Sequence, residues 1–514
     1  MKETTPLVRK QPAHVEAPVS PPCRGRSPKS IIFLLSVVVF FMSCSDSLSG
    51  VPSTRLLENN ICRLYGVRDV TSAPIDERLC KTDELQSELA YMTGLLGTLE
   101  AMVGLLVAFP YGTLSDAIGR KPILLLSFAG FALSSAWTAL VLAREQTIPA
   151  HTILFSPAFL FIGGGRCVTA SALYSAVADV TTEENRATGF LTISFGSLLG
   201  SFVGPLLSSS LMQISSPWIP YLMSFAMILV GAFIMLFVPE TLHLGSTSTS
   251  KEKQSYRVRH LYRYIAQLKE SLDILRQPAL AILLIVFLAP LPMSTATGQF
   301  LVRYISKRFD WSLAAAGYLL SVRGMVNMLL LLAILPYLST VLRSRGRDGV
   351  AKDRTLAQLS AIAMAIGCLL MAGPNIFIVI GGLIVNTLGD GLAPLCRSVA
   401  ASLVNFEHTA KLQTLIGIIE LTSSLFAGPS LASLLSVGMD LQGPWLGLPY
   451  MGLAVFLSVM TFPLFLYTVP QSNGSPSATS DSDSPFPCLQ DLNGDLCSLG
   501  SRCPHHAALS DSPV

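Results

Sequence analysis

The chain has 514 residues, 51% of them hydrophobic and only 13% charged, with a mean hydropathy of +0.55. A soluble domain carries about 25% charged residues, so this composition excludes a soluble globule and describes an integral membrane protein. The formal net charge of +3 identifies no partner, because the charges are sorted by side of the membrane; no nucleic-acid partner is expected.

Residues 1–29, rich in proline and basic side chains, read as a disordered tail. Twelve apolar runs of about the 20 residues that cross a bilayer core follow. They cover 31–51, 91–113, 122–143, 150–178, 188–212, 218–238, 279–302, 312–338, 356–373, 375–404, 412–437 and 445–469. The first follows basic residues as a secretory signal would, but no small-residue cleavage pattern succeeds it and an even number of spans requires it. The segment 52–90 mixes acids and bases and carries Cys62 and Cys80. Outside the cell these form a disulfide or remain two thiols, since spacing alone does not give their separation. The other cysteines lack metal-ligand spacing, and no metal site is expected.

Basic residues collect at Arg24, Arg26 and Lys29, at Arg120 and Lys121, between Lys251 and Arg276, and between Arg343 and Arg354. These are alternate connections on one side, which the positive-inside rule makes cytoplasmic together with both termini. The segment 241–277 separates six spans from six, and the spacing of Tyr262, Ile265, Leu268, Leu272 and Leu275 predicts an amphipathic helix along the membrane surface. The expected organisation is an all-α membrane protein with six-helix bundles at 30–240 and 278–470 and a disordered cytoplasmic tail at 471–514.

Between the second and third runs lies GTLSDAIGRK, from Gly112 to Lys121. Gly112 and Gly119 allow two helix ends to approach closely, Asp116 can cap a helix, and Arg120 and Lys121 stay on the cytoplasmic side. The run resembles the loop between spans two and three of the major facilitator superfamily, matching at Gly112, Leu114, Asp116, Gly119, Arg120 and Lys121. The resemblance implies twelve helices in two bundles that work by alternating access. It also implies a gate, in which Arg120 pairs with one of the acids among Asp179, Glu183, Glu184 and Arg186 beyond span four, and Asp116 caps a helix of the other half. Pro239, Glu240, Thr241 and Leu242 resemble the ending of the family's first half. The corresponding second-half loop, Arg343 to Asp348, is basic but lacks the full motif.

Ser201-Phe202-Val203-Gly204-Pro205 in span five echoes Leu425-Phe426-Ala427-Gly428-Pro429 in span eleven, as duplication of a half would require. Gly196, Gly200 and Gly204 recur every fourth residue. Two readings stand: close helix packing by small residues, or the bending motif of the superfamily's proton antiporters, which Gly200, Gly204 and Pro205 resemble in part. Glu58 to Tyr65, Cys80, Leu85 to Tyr91, Ala400 to Val404 and Gly443 to Pro449 resemble a fungal branch of the superfamily. Members of that branch often resemble efflux pumps for secondary metabolites, so the resemblance implies export.

Ionisable residues inside apolar spans are functional candidates because they are costly there. They are Asp46, Glu100, Arg166, Arg323, Asp390, Arg397 and Glu420. Asp46 stands near the outer end of its span, where interfacial water could also account for it. Glu100 is a proton site or a hydrogen-bonded structural acid. Arg323 and Asn327, four apart on one face, could hold a substrate or pair with an acid. Asp390 and Arg397 are too far apart to touch and need partners on other helices. Arg166 lies seven residues after Phe159, nearly two turns on a continuous helix.

The resulting expectation is a secondary active transporter in the plasma membrane that exports a small organic compound in exchange for protons. The proton gradient would supply the energy without a cofactor, the partners would be the bilayer, a small molecule and protons, and no oligomer is required. No nucleotide-binding or nucleophilic constellation is present, so catalysis is not expected. The alternatives are an uptake symporter or facilitator, and a transceptor that binds without transporting.

Overall fold

A computed structural model of the chain describes residues 27–64, 77–242, 278–345, 349–404 and 409–466. The predicted tails, nearly all of the linker and the centre of the second-half basic loop lie outside the described residues. Among the described residues there is no strand, and twelve helical stretches are long and apolar enough to cross a membrane. They are α1 (Pro28–Leu64), α2 (Asp83–Ile118), α3 (Arg120–Ala143), α4 (Ala150–Val180), α5 (Glu183–Ile214) and α6 (Trp218–Phe237). The second six are α7 (Leu280–Phe309), α8 (Leu313–Ser344), α9 (Gly349–Met371), α10 (Ile376–Ser402), α11 (Thr409–Leu441) and α12 (Gly443–Leu466). Helices satisfy every backbone polar group internally, which lipid requires. Large side chains such as Phe33, Leu222, Phe233 and Phe377 remain exposed as a lipid-facing surface.

Each half has its own apolar core. That of α7–α12 runs from Leu280 to Leu464, with buried Val51 and Ala90 and partly buried Met212 joining from the first half. The first half is packed mainly in two layers, one around Leu35, Leu124, Phe128 and Val177, the other around Leu57, Ile61, Leu89 and Leu142, with a small cluster of Val103, Val107 and Leu160 besides. Cys62 and Cys80 are bonded, with Cα atoms 5.5 Å apart, and belong to the second layer. This edge of the molecule is the disulfide end, and the edge carrying Gly112–Lys121 is the motif end.

Segment 52–90, expected as a connection, is helical at both ends. Helix α1 continues through Pro52 to Leu64 and α2 starts at Asp83, giving lengths of 37 and 36 residues, or about 55 Å each at 1.5 Å per residue. The extension is stabilised by the second apolar layer, which buries Leu56, Leu57 and Ile61 against Leu85, Leu89 and Met92 beyond the membrane-length runs.

Two spans expected to be continuous are broken. In α4 a 3₁₀ stretch, Ala150–Phe161, gives way at Gly163, Gly164 and Gly165, which have φ of 89°, 85° and 66°, before an α-helix resumes at Gly165. Only glycine adopts three successive positive φ values at low cost. The freed carbonyls are satisfied from neighbouring helices: the Tyr111 hydroxyl donates to Phe161 O (2.8 Å) and Ser127 Oγ to Gly163 O (2.6 Å). In α10, six spans later, Leu388–Gly391 forms a turn between helices Ile376–Thr387 and Leu392–Ser402. Helices α7 and α8 each contain a π-turn, Ala296–Phe300 and Leu330–Ile334, the first after Pro290 and Pro292 and the second before Pro336.

Candidate functional site

At the motif end, Gly119 is the hinge between α2 and α3, with φ at 110°. Glu240 explains why no side chain fits there: a Cβ on Gly119 would stand 2.4 Å from its carboxylate. That carboxylate accepts the backbone N–H of Arg120 (2.8 Å), Lys121 (3.1 Å), Thr241 (3.1 Å) and Leu242 (3.0 Å). An anion against the first N–H groups of α3 satisfies orphan donors and the helix dipole together. Lys121 is tied to the same corner through Leu236 O (2.6 Å). The PETL resemblance singled out Glu240, but its capping role depends on the return of α6 to α3.

Arg120 pairs with Asp179 (3.2 Å) and with Asp116, all within the first half. Asp116 therefore caps no helix of the other half here; its side chain is 69% exposed. Nor does Gly112 mediate a close approach, because nothing lies within 4 Å of where its Cβ would stand. Among the described residues, the hydrogen bonds and ion pairs that join the halves lie elsewhere. Arg186 is exposed on the first turn of α5, and the side chain of Glu183 lies outside the described residues.

Midway along the spans, the dispersed ionisable residues are brought into pairs. Arg166 grips Asp46 with both terminal nitrogens (2.6 and 3.1 Å) and stands 3.8 Å from Glu100. Arg166 follows the glycine break directly, so its direction is set by the restarted helix and not by an i, i+7 relation to Phe159. In the second half, Arg323 of α8 meets Asp390 of α10 at 3.5 Å, and one nitrogen of Arg397 reaches both oxygens of Glu420 on α11 at 2.6 and 2.7 Å. Asp390 lies in the α10 turn, so both broken spans carry an ionisable group at the break. The glycines flanking Asp390 and the run Gly163–Gly165 were the sequence signals for these breaks.

In the first half two carboxylates share one arginine; in the second each carboxylate has its own. Asp46 and Arg166 are half exposed, at 52% and 61%, although both lie within membrane-length runs. Buried without hydrogen-bond partners among the described residues are Arg323 Nε, Asn327 Oδ1 and Arg397 Nε, a set of donors and an acceptor on the second-half wall.

The hydrogen bonds and ion pairs between described residues of the two halves lie towards the disulfide end. Thr98 Oγ1 donates to Leu425 O (3.1 Å), Ser87 meets Ser436 (2.7 Å), and Ser210 meets Tyr318 (3.1 Å). Arg303, 2% exposed on α7, donates across the interface to Leu89 O (3.3 Å) and Thr93 Oγ1, and lies 4.5 Å over the Phe300 ring. Sequence reading missed it because the seventh apolar run ends one residue earlier.

The glycine echo resolves into two different contacts. Gly196, Gly200 and Gly204 seat α5 on α1, where an added Cβ would meet Ser36 O at 2.5 Å, Phe40 O at 2.8 Å and Cys44 O at 2.8 Å. Pro205 lies within this helix. Gly428 instead seats α11 of one half on Gly94 of α2 in the other, and Pro429 follows inside α11.

Comparison with known proteins agrees with this architecture. The Major Facilitator Superfamily family model matches residues 82–347. The MFS efflux pump atnC of Emericella nidulans is 29% identical over 461 residues, covering 87% of this chain and 89% of that one. The efflux pump ustT of Aspergillus flavus is 26% identical over 440 residues, covering 82% and 85%. The crystal structure of the human organic anion transporter MFSD10 superposes with a TM-score of 0.56 at 18% identity, over 86% of this chain and 100% of that one. A POT family transporter in complex with 5-aminolevulinic acid gives a TM-score of 0.60 at 16% identity, over 87% and 97%. The hinge sequence, the twelve spans and a family match over more than half of the residues lead to one conclusion: the chain belongs to the Major Facilitator Superfamily.

Proposed function

We propose that this multi-pass membrane protein is a secondary active exporter, moving a small organic compound out of the cell in exchange for protons by alternating access. The observation that carries the coupling is the shared arginine. Asp46 holds Arg166 at 2.6 Å and leaves Glu100 at 3.8 Å without a cation of its own. An ionised carboxylate in that position is costly inside a membrane, and binding a proton removes the charge. Glu100 is therefore assigned as the proton carrier, with Asp46 orienting Arg166. Asn327, Arg323 and Arg397 offer a substrate polar atoms that have no partner among the described residues. The names of the relatives atnC and ustT support export.

Positive-inside sorting of the basic loops, together with a disulfide at the other end, supports a cytosolic motif end, cytosolic termini and residence in the plasma membrane. With that orientation the bonds between described residues of the two halves lie towards the outside, which supports the state of an exporter awaiting substrate. The bilayer, protons and the substrate suffice as partners, without a cofactor or an oligomer.

The test is substrate and proton flux in proteoliposomes across a panel of small organic metabolites and drugs under an imposed pH gradient. Substrate flux opposite in direction to the proton flux is expected, with coupling lost in Glu100→Gln while binding persists. Flux that follows the substrate's own gradient and ignores pH would make the protein a facilitator. Co-directional flux would make it an uptake symporter, and binding without flux a transceptor.

A further inference from the structure

At the disulfide end, a cluster of ionisable side chains spans the two halves. The disulfide-bonded turn Glu77–Cys80 and the start of α2 lie against α7 and α8 of the opposite half. Glu77 Oε1 accepts the backbone N–H of Leu313 (2.8 Å) and the hydroxyl of Ser306 (3.3 Å). Leu313 opens α8, so the Glu77 carboxylate rests on a helix N-terminus of the other half, where orphan N–H groups and the dipole favour an anion. Lys307 of α7 reaches back to the Lys81 carbonyl and to Asp83 (2.8 Å). On its own side Glu77 is held by Lys81 (3.0 Å) and Arg55 (3.9 Å), and the turn is tied to α1 by Cys62–Cys80.

We infer that this turn is an outer latch: Glu77, positioned by the disulfide, fastens the first half to the N-terminus of α8 and must let go for the disulfide end to open. The inference rests on the alternating-access reading, but on neither its direction nor its coupling ion. The geometry supports the latch in two ways. Glu77 places a carboxylate of one half on a helix N-terminus of the other, beside the Lys307–Asp83 ion pair that crosses the same interface. The disulfide also leaves the turn little freedom to follow α8 when the halves separate, so opening must break the contacts and not carry them along.

The experiment is hydrogen–deuterium exchange of the full chain in lipid nanodiscs, comparing wild type, Glu77→Gln, Glu77→Ala and protein treated with a membrane-impermeant reductant. Loss of a charge-assisted bond is expected to speed exchange in the first turn of α8 by about tenfold. The rise should extend to the Ser87–Ser436 level and be accompanied by slower exchange at Gly112–Lys121, since opening one end closes the other. Glu77→Gln should fall between wild type and Glu77→Ala, and reduction should mimic Glu77→Ala. Faster exchange confined to residues 77–80 would overturn the latch, as would faster exchange near α8 with no reciprocal change at the motif end. If substrate still drives reciprocal exchange in the variants with wild-type amplitude and bias, the latch fails while alternating access stands. If nothing, substrate included, produces reciprocal exchange, the transport reading fails with it.

Discussion

Gly428→Ala should prevent full closure of the disulfide end. The α-carbons of Gly94 and Gly428 meet where α2 of one half crosses α11 of the other, and a methyl group on Gly428 would lie 2.3 Å from Gly94 O and 2.9 Å from its carbonyl carbon. A carbon–oxygen contact settles near 3.3 Å, so the two backbones must part by about 1 Å. Neither neighbour is a side chain that could rotate away. Overpacking of this kind costs about 1–3 kcal/mol, and the penalty applies only to the conformation in which the helices touch. The closed state should lose about 5- to 150-fold in relative population. Spin labels at Tyr91→Cys on α2 and Val437→Cys on α11, both exposed in the structure, would report this by electron–electron double resonance as a shift toward longer distances. A distribution indistinguishable from that of the unsubstituted glycine pair would refute the reasoning, because it would mean that the helices do not approach to backbone contact in the populated closed state.

The parallel change in the first half should behave differently. Gly200→Ala presses on Phe40 O and Cys44 N at 2.8 Å within one bundle, so it should lower the thermal midpoint without shifting the interhalf distance, by the same 1–3 kcal/mol scale. Glu240→Ala removes the acceptor shared by four backbone N–H groups; uncapping α3 should cost about 1–3 kcal/mol, read as a lower midpoint and faster exchange of the Arg120 and Lys121 amides. Asp116→Asn should leave the midpoint close to wild type, because the side chain is largely exposed and such pairs contribute little. Its transport rate should nevertheless fall if Asp116 caps the other half in the opposite state, and an unchanged rate from correctly inserted protein would remove that role. Gly164→Ala places a Cβ 2.3 Å from Val168 at a φ of 85°, so the restarted helix must turn and carry Arg166 away from Asp46. Loss of pH-driven flux with insertion intact is the expected reading.

Much of this protein is legible in one dimension. Spans follow from apolar length, because a bilayer core accepts only runs of about 20 residues with their backbone satisfied. The ionisable residues inside the spans are also visible, since Asp46, Glu100, Arg166, Arg323, Asp390, Arg397 and Glu420 stand out within apolar runs for the same reason. The GTLSDAIGRK hinge is local, and a turn at Gly119 follows from its residues alone. What sequence did not determine is which charges meet. Arg166 finds Asp46 and Glu100 because three glycines restart α4 in a new direction, and Glu240 caps α3 only because α6 returns beside it. The helical extensions of α1 and α2, read as a loop, depend on apolar side chains 28 residues apart, Leu57 and Leu85, meeting beyond the membrane. The two copies of the glycine–proline echo acquire opposite duties, one inside a bundle and one between bundles, although their local sequences are alike. Pairing, capping and gating depend on where helices cross and how they are rotated about their axes, and those are properties of the packed molecule that no single stretch of the chain contains.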